Sequence, residues 1–272
     1  VILLDLWLII LILIATGIIA GYCAGLLGIG GGFLMVPVQY LLLIHTGIDP
    51  TYAIRIAIGT SLAVVFLVSC TAAMAHHKRQ AVDWQAAVPI GMAGLAGGFA
   101  GGTLASYLPV EILKPLFGIM VIVGAFRLLR GVPDPGGVTR TGHGAWTMAG
   151  LAIGILSGLV GLGGGVLLVP VLLLIFNLPI HRAIATSSAC ILFFSIGGIL
   201  AYIYHGLMVE ELTNGFLGYI DILQWVVLTA TMVPFTRLGV ATAHNLPANR
   251  LRIVFAGVMV LIGVAMIAIL PR

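Results

Sequence analysis

Long apolar runs alternate with short polar breaks along the chain, and within each run the apolar residues are continuous rather than placed at every second position. A bilayer core of about 30 Å needs such runs, and backbone polar groups in lipid must be bonded within the segment or in a closed barrel. Continuous runs therefore predict helices. They fall at Leu3–Gly25, Phe33–Ile44, Tyr52–Ala75, Gln85–Tyr107 and Ile112–Leu129, then at Trp146–Gly158, Val166–Phe176, Ile180–Tyr204, Leu217–Ala243 and Arg250–Leu270. Between the two sets lies Arg130-Gly-Val-Pro-Asp-Pro-Gly-Gly-Val-Thr-Arg140, the only long polar stretch rich in Pro and Gly, which reads as a linker.

The two sets resemble each other. Gly25-Leu-Leu-Gly-Ile-Gly-Gly-Gly-Phe-Leu-Met-Val-Pro-Val38 matches Gly158-Leu-Val-Gly-Leu-Gly-Gly-Gly-Val-Leu-Leu-Val-Pro-Val171. Ala57-Ile-Gly-Thr-Ser61 matches Ala183-Ile-Ala-Thr-Ser187, and Leu108-Pro109, Leu113-Lys114 and Phe117 match Leu246-Pro247, Leu251-Arg252 and Phe255. The order of the matches is the same in both halves. The expected organisation is a first repeat over residues 1–130, a linker over 131–143 and a second repeat over 144–272.

An odd number of crossings per half makes the second repeat enter from the opposite side. With alternating crossings, Lys78, Arg79, Arg127, Arg130, Arg140, Arg182, Arg237, Arg250 and Arg252 fall on one side and only Arg55, Lys114 and Arg272 on the other. Asp5, Asp49, Glu111, Glu210, Glu211 and Asp221 fall on the poorly basic side. By the positive-inside rule the linker is cytoplasmic and both termini are extracytoplasmic. The expected fold is an all-α polytopic membrane protein of two inverted repeats, about five elements each.

The second element of each half is too short to span. Twelve residues of helix reach roughly 18 Å, so the glycine-rich start of each should lie inside the membrane, as a half-helix after a turn. Whether the first two elements span or form a re-entrant hairpin is left open. A half-helix N-terminus presents free N–H groups and about half a positive charge. Gly30, Gly31, Gly32 and Gly163, Gly164, Gly165 have no side chains to hold an anion away. Two such ends meeting from opposite faces would form a midplane anion site without a charged side chain. Thr60, Ser61, Thr186, Ser187 and Ser188 are placed to converge at that depth and donate hydrogen bonds. Gly94, Gly98 and Gly102, with Gly97 and Gly101, have GxxxG spacing and read as a packing seam.

Composition narrows the picture further. Charged residues make up 7% of the chain and hydrophobic ones 61%, against roughly 25% charged in soluble domains. The twelve Lys and Arg are scattered through short loops, so the basic balance reports orientation rather than nucleic-acid binding. Cys23, Cys70 and Cys190 are dispersed and form no CxxC, which argues against a disulfide framework or a zinc site. No nucleophile–base pair or metal-ligand constellation stands out, so neither an enzyme nor a cofactor is expected.

The doubled Gly-Leu-x-Gly-x-Gly-Gly-Gly-x-x-x-Val-Pro and Ala-x-x-Thr-Ser elements, with the His77 to Asp83-Trp84 stretch, resemble the TauE/SafE family of sulfite exporters over nearly the whole chain. The resemblance implies transport of small sulfur-containing anions, such as sulfite or organosulfonates like sulfoacetate, outward across the plasma membrane. Its partners would be a small anionic substrate and membrane lipids, with homo-oligomer formation left open. An anion channel of the same fold and a carrier of another small organic anion are the alternatives.

Overall fold

The computed structural model describes residues 2–28, 30–129, 143–212 and 215–242, together with 256–257, 259–261, 263–264 and 266–268. In chain order the elements are α1 (Ile2–Leu27), α2 (Gly32–His45), α3 (Pro50–Lys78), α4 (Trp84–Tyr107), α5 (Val110–Leu129), α6 (His143–Val160), α7 (Gly165–Leu174) and α8 (Ile180–Gly206). A hairpin of β1 (Phe216–Leu217) and β2 (Ile220–Asp221) then leads into α9 (Ile222–Thr242). Helical residues recur between 256 and 268. Apart from His143, the linker expected at 131–143 lies outside the described residues, as does much of the element expected at Arg250–Leu270.

Helix α9 starts later than the expected Leu217. Gly215 and Gly218 both have positive φ, and the Ile222 N–H donates to the Gly215 carbonyl, which folds the stretch before it into a hairpin. Asp221 then starts the helix, because its carboxylate accepts from the Gln224 N–H at 3.0 Å, three residues on. Asp83 does the same for α4, accepting from the Ala86 N–H.

Among the described residues, α1, α3, α4, α8 and α9 are long and apolar enough to cross a membrane. Helix α3 is the most enclosed of them, with 83% of its most apolar window buried, and α8 follows with 67%. These two pack against each other and form the centre. Outward-facing apolar side chains such as Trp7, Leu11, Met92 and Met148 are more than half exposed, as expected where lipid is the solvent.

The helices do not pack half by half. Helix α4 lies against α6 and α8, and α9 lies against α1 and α3, so the fourth helix of each half covers the first and third helices of the other. Glycines permit this approach. A methyl group on Gly97, Gly101, Gly150, Gly154 or Gly158 would strike a backbone carbonyl oxygen across the α4–α6 seam. On Gly21, Gly25 or Gly239 it would strike one across the α1–α9 seam. In lipid, helix association depends on close van der Waals contact, which small residues allow.

Candidate functional site

Two glycine turns join α1 to α2 and α6 to α7. Gly28, Gly30 and Gly31 have φ of 67°, 83° and 79°, and Gly161, Gly163 and Gly164 have φ of 72°, 74° and 79°. The same left-handed pattern recurs at matching positions of the two glycine stretches, and only glycine adopts it readily. Gly31 and Gly164 cap α2 and α7 without any side-chain hydrogen bond. The first amides bonded into each helix are those of Leu34, to Gly31, and Leu167, to Gly164. The N–H groups of Gly32, Phe33, Gly165 and Val166 come before that point and have no carbonyl to meet in their own helix. Both helices are short: α2 has 14 residues and α7 has 10, about 21 and 15 Å.

The turns touch. A Cβ placed on Gly32 would collide with the Gly161 carbonyl oxygen, and it would lie 3.0 Å from Leu162 Cα and 3.1 Å from Ser61 Oγ. One on Gly30 would lie 3.3 Å from Val65 Cγ1 and 3.4 Å from the Leu162 carbonyl oxygen. Gly163 meets the same Val65 and also Ile191. Gly30 to Gly32 and Gly163 to Gly165 are all buried. They face protein, not acyl chains.

The hydroxyl groups of the Thr-Ser pairs divide between two tasks. Ser61 Oγ donates to the Gly161 carbonyl at 3.0 Å, tying α3 to the turn of the other half. Ser187, its counterpart on α8, is fully buried and its Oγ has no hydrogen-bond partner among the described residues. Ser188 donates back to Ile184 in its own helix, the usual recourse of a hydroxyl in an apolar helix. Thr60 and Thr186 turn to neither. Thr60 Oγ1 accepts the Asp221 N–H at 2.9 Å and Thr186 Oγ1 accepts the Asp83 N–H at 3.0 Å, so each holds the start of the opposite half's fourth helix.

The sequence reading used Asp221 only for orientation and Asp83 only within the family-like stretch, although an Asp before an apolar run is an N-cap signal. Their surroundings differ. Asp83 pairs with Arg182 at 3.4 Å. Asp221 has Gln224 instead, whose Nε2 donates to its second oxygen at 3.0 Å, and burial raises the Asp221 carboxyl above its ordinary pKa. Arg55 donates to the Leu108 carbonyl at 3.2 Å. Gln39 was passed over and Lys114 was read only for orientation and the repeat; both are buried with no hydrogen-bond partner among the described residues. A buried amide or ammonium is recognised by its surroundings, which a linear pattern does not display.

An apolar cavity of about 290 Å³ lies elsewhere, between α3, α8 and the hairpin, and includes Phe66, Ile199, Leu217 and Trp225 in its wall. Its lining is almost wholly non-polar, so it offers an anion nothing. Among the described residues, no group of three or more His, Cys, Asp or Glu is placed to hold a metal ion.

The fold defines a multi-pass α-helical membrane protein, and the comparisons place it among membrane transporters. The chain belongs to the sulfite exporter TauE/SafE family, whose model matches residues 13–266. It is 30% identical to a probable membrane transporter protein of Methanocaldococcus jannaschii over 261 residues, covering 94% of each chain. It is 28% identical to a probable membrane transporter protein of Haemophilus influenzae, covering 94% of this chain and 97% of that one. A third relative, from Bacillus subtilis, is 29% identical over 72% of this chain and 78% of its own. No solved structure matches the chain significantly.

Proposed function

We propose that the chain exports small sulfur-containing anions, sulfite or organosulfonates such as sulfoacetate, across the plasma membrane by alternating access. The observation that carries this reading is the contact between the two buried glycine turns, each leading into a half-helix capped by a left-handed glycine. Their amides supply hydrogen-bond donors and positive dipole ends where a charged side chain would be costly to bury. Ser187 on α8 keeps a buried hydroxyl with no hydrogen-bond partner among the described residues, a donor open to an anion. An inside-negative potential favours outward movement of an anion by about 2.3 kcal/mol per charge per 100 mV, so transport needs no coupled ion. Rocking of one set of helices against the other supplies the two access states.

Flux from proteoliposomes loaded with sulfite tests the proposal. Efflux should saturate, speed up with an inside-negative diffusion potential, and fall at least ten-fold when Gly32 or Gly165 is changed to Ala in protein that still folds. Competition by sulfoacetate, taurine, sulfate and thiosulfate ranks the substrates. Efflux equal to that of empty liposomes for every anion in the panel would overturn the reading. Linear, unsaturable currents would favour an anion channel instead.

A further inference from the structure

We propose that Lys114 is a second anion site, separate from the glycine turns and built from one buried ammonium on an aromatic face. Lys114 lies on α5 and is only 1% exposed. Its Nζ sits 4.4 Å from the centre of the Tyr40 ring and has no hydrogen-bond partner among the described residues. No carboxylate of those residues forms an ion pair with it; exposed Glu111, three positions earlier on the same helix, attracts it only from beyond contact distance. An ammonium carries three donors and no acceptor. The ring attracts the cation but accepts none of those hydrogen bonds in the ordinary sense. A charge left this way in a protein interior is costly to keep, and the group that relieves it is an anion.

The lysine stands apart from the glycine turns. Tyr40 stands on α2, eight residues beyond Gly32, or about 12 Å along the helix from the glycine turn. The second repeat also carries a cation at the matching place, Arg252 for Lys114, in a chain with few charges. A small oxyanion or halide fits the chemistry, because an ammonium acts as a compact point charge with rotatable donors. The inference goes beyond the proposed substrate: the lysine would select charge and size, not sulfur.

Titration of the purified full chain in nanodiscs with sulfite, sulfate and chloride separates the two proposals. The native protein should show two classes of sulfite site. Lys114→Met should weaken one class at least ten-fold, and Lys114→Arg should retain it within about three-fold. If sulfite fails to bind but sulfate or chloride binds in a Lys114-dependent way, the substrate reading falls and this one stands. Two undiminished sulfite classes in a folded Lys114→Met protein would overturn this proposal alone, whereas the absence of binding by all three anions would overturn both. Should Lys114→Met not fold, acetic anhydride labelling of the native chain reads the same site. The chain has two lysines, and exposed Lys78 is the internal reference. Saturating sulfate should slow acetylation of Lys114 at least five-fold relative to Lys78; equal rates with and without the anion would overturn the proposal.

Discussion

At the residue scale, the chemistry concentrates in backbone rather than in side chains. The left-handed caps at Gly31 and Gly164 leave amides free and bring no bulk, so an alanine there acts twice. The conformation costs a non-glycine residue roughly 1–2 kcal/mol, and a new methyl group crowds the neighbouring chain. At Gly164 it would come within 2.9 Å of the Phe194 ring. Gly164→Ala should lower the thermal midpoint of the detergent-solubilised protein and reduce flux, whereas Gly47→Ala, also left-handed but with nothing within 4 Å, should lower the midpoint less and spare flux. Equal effects of the two on flux would show that the turn is only a bend.

Asp221 gives a second prediction at this scale. Desolvation raises its carboxyl above the ordinary value, partly opposed by hydrogen bonds from Gln224 and Leu223. A folded-state pKa above the unfolded one means that the native protein binds the proton more tightly. Its contribution to stability is therefore fully present below about pH 3.9, the ordinary carboxylate value, and is lost as pH rises through the folded pKa. Asp221→Asn keeps an oxygen for the Gln224 N–H and removes the ionisation. The loss of midpoint between pH 4 and 7 should be smaller in the variant, measured by thermal melts across that range; an unchanged slope would assign the pH dependence to other groups.

At the scale of elements, the recurring device is a helix start held by the other half. Thr60 and Thr186 each accept a backbone N–H from Asp221 and Asp83, the first residues before α9 and α4. Removing a buried acceptor leaves that N–H unsatisfied, at a cost of about 1–3 kcal/mol. Thr60→Val and Thr186→Val should each lower the thermal midpoint, and by similar amounts, because the two bonds are equivalent under the repeat. Serine at either position should restore most of it. A large loss at one position with none at the other would show that the halves are not equivalent here. The element boundaries were largely legible: α4 begins at Trp84 against an expected Gln85, and α8 begins at Ile180 as expected. The start of α9 was not, because Phe216, Leu217 and Ile220 are as apolar as the helix that follows, and only Gly215 and Gly218 mark the hairpin.

At the scale of the whole molecule, side-chain contacts join groups that charge asymmetry assigns to one face. Arg182 meets Asp83 on the basic side, and the Tyr107 and His205 rings lie 5.3 Å apart near the other. Cysteine accessibility tests the orientation. In a background where Cys23, Cys70 and Cys190 are alanine, Thr46→Cys and Glu210→Cys should react with a membrane-impermeant maleimide added to intact cells. Gln80→Cys should react only after permeabilisation. All three positions are exposed. The reverse pattern would invert the chain in the membrane.

What the sequence determined by itself was the solvent, the helical class and the position of the glycine turns. Those depend on composition along the chain, and glycine leaves a readable mark wherever backbone must bend or approach closely. Tertiary structure alone decided that the halves interlock through α4 and α9, that Thr60 and Thr186 hold helix starts while Ser61 reaches the opposite turn, and that Lys114 is enclosed. The physical reason is that these helices are apolar on nearly every side. Water does not choose which face turns inward, so the choice falls to close packing and to the hydrogen bonds that each approach makes possible.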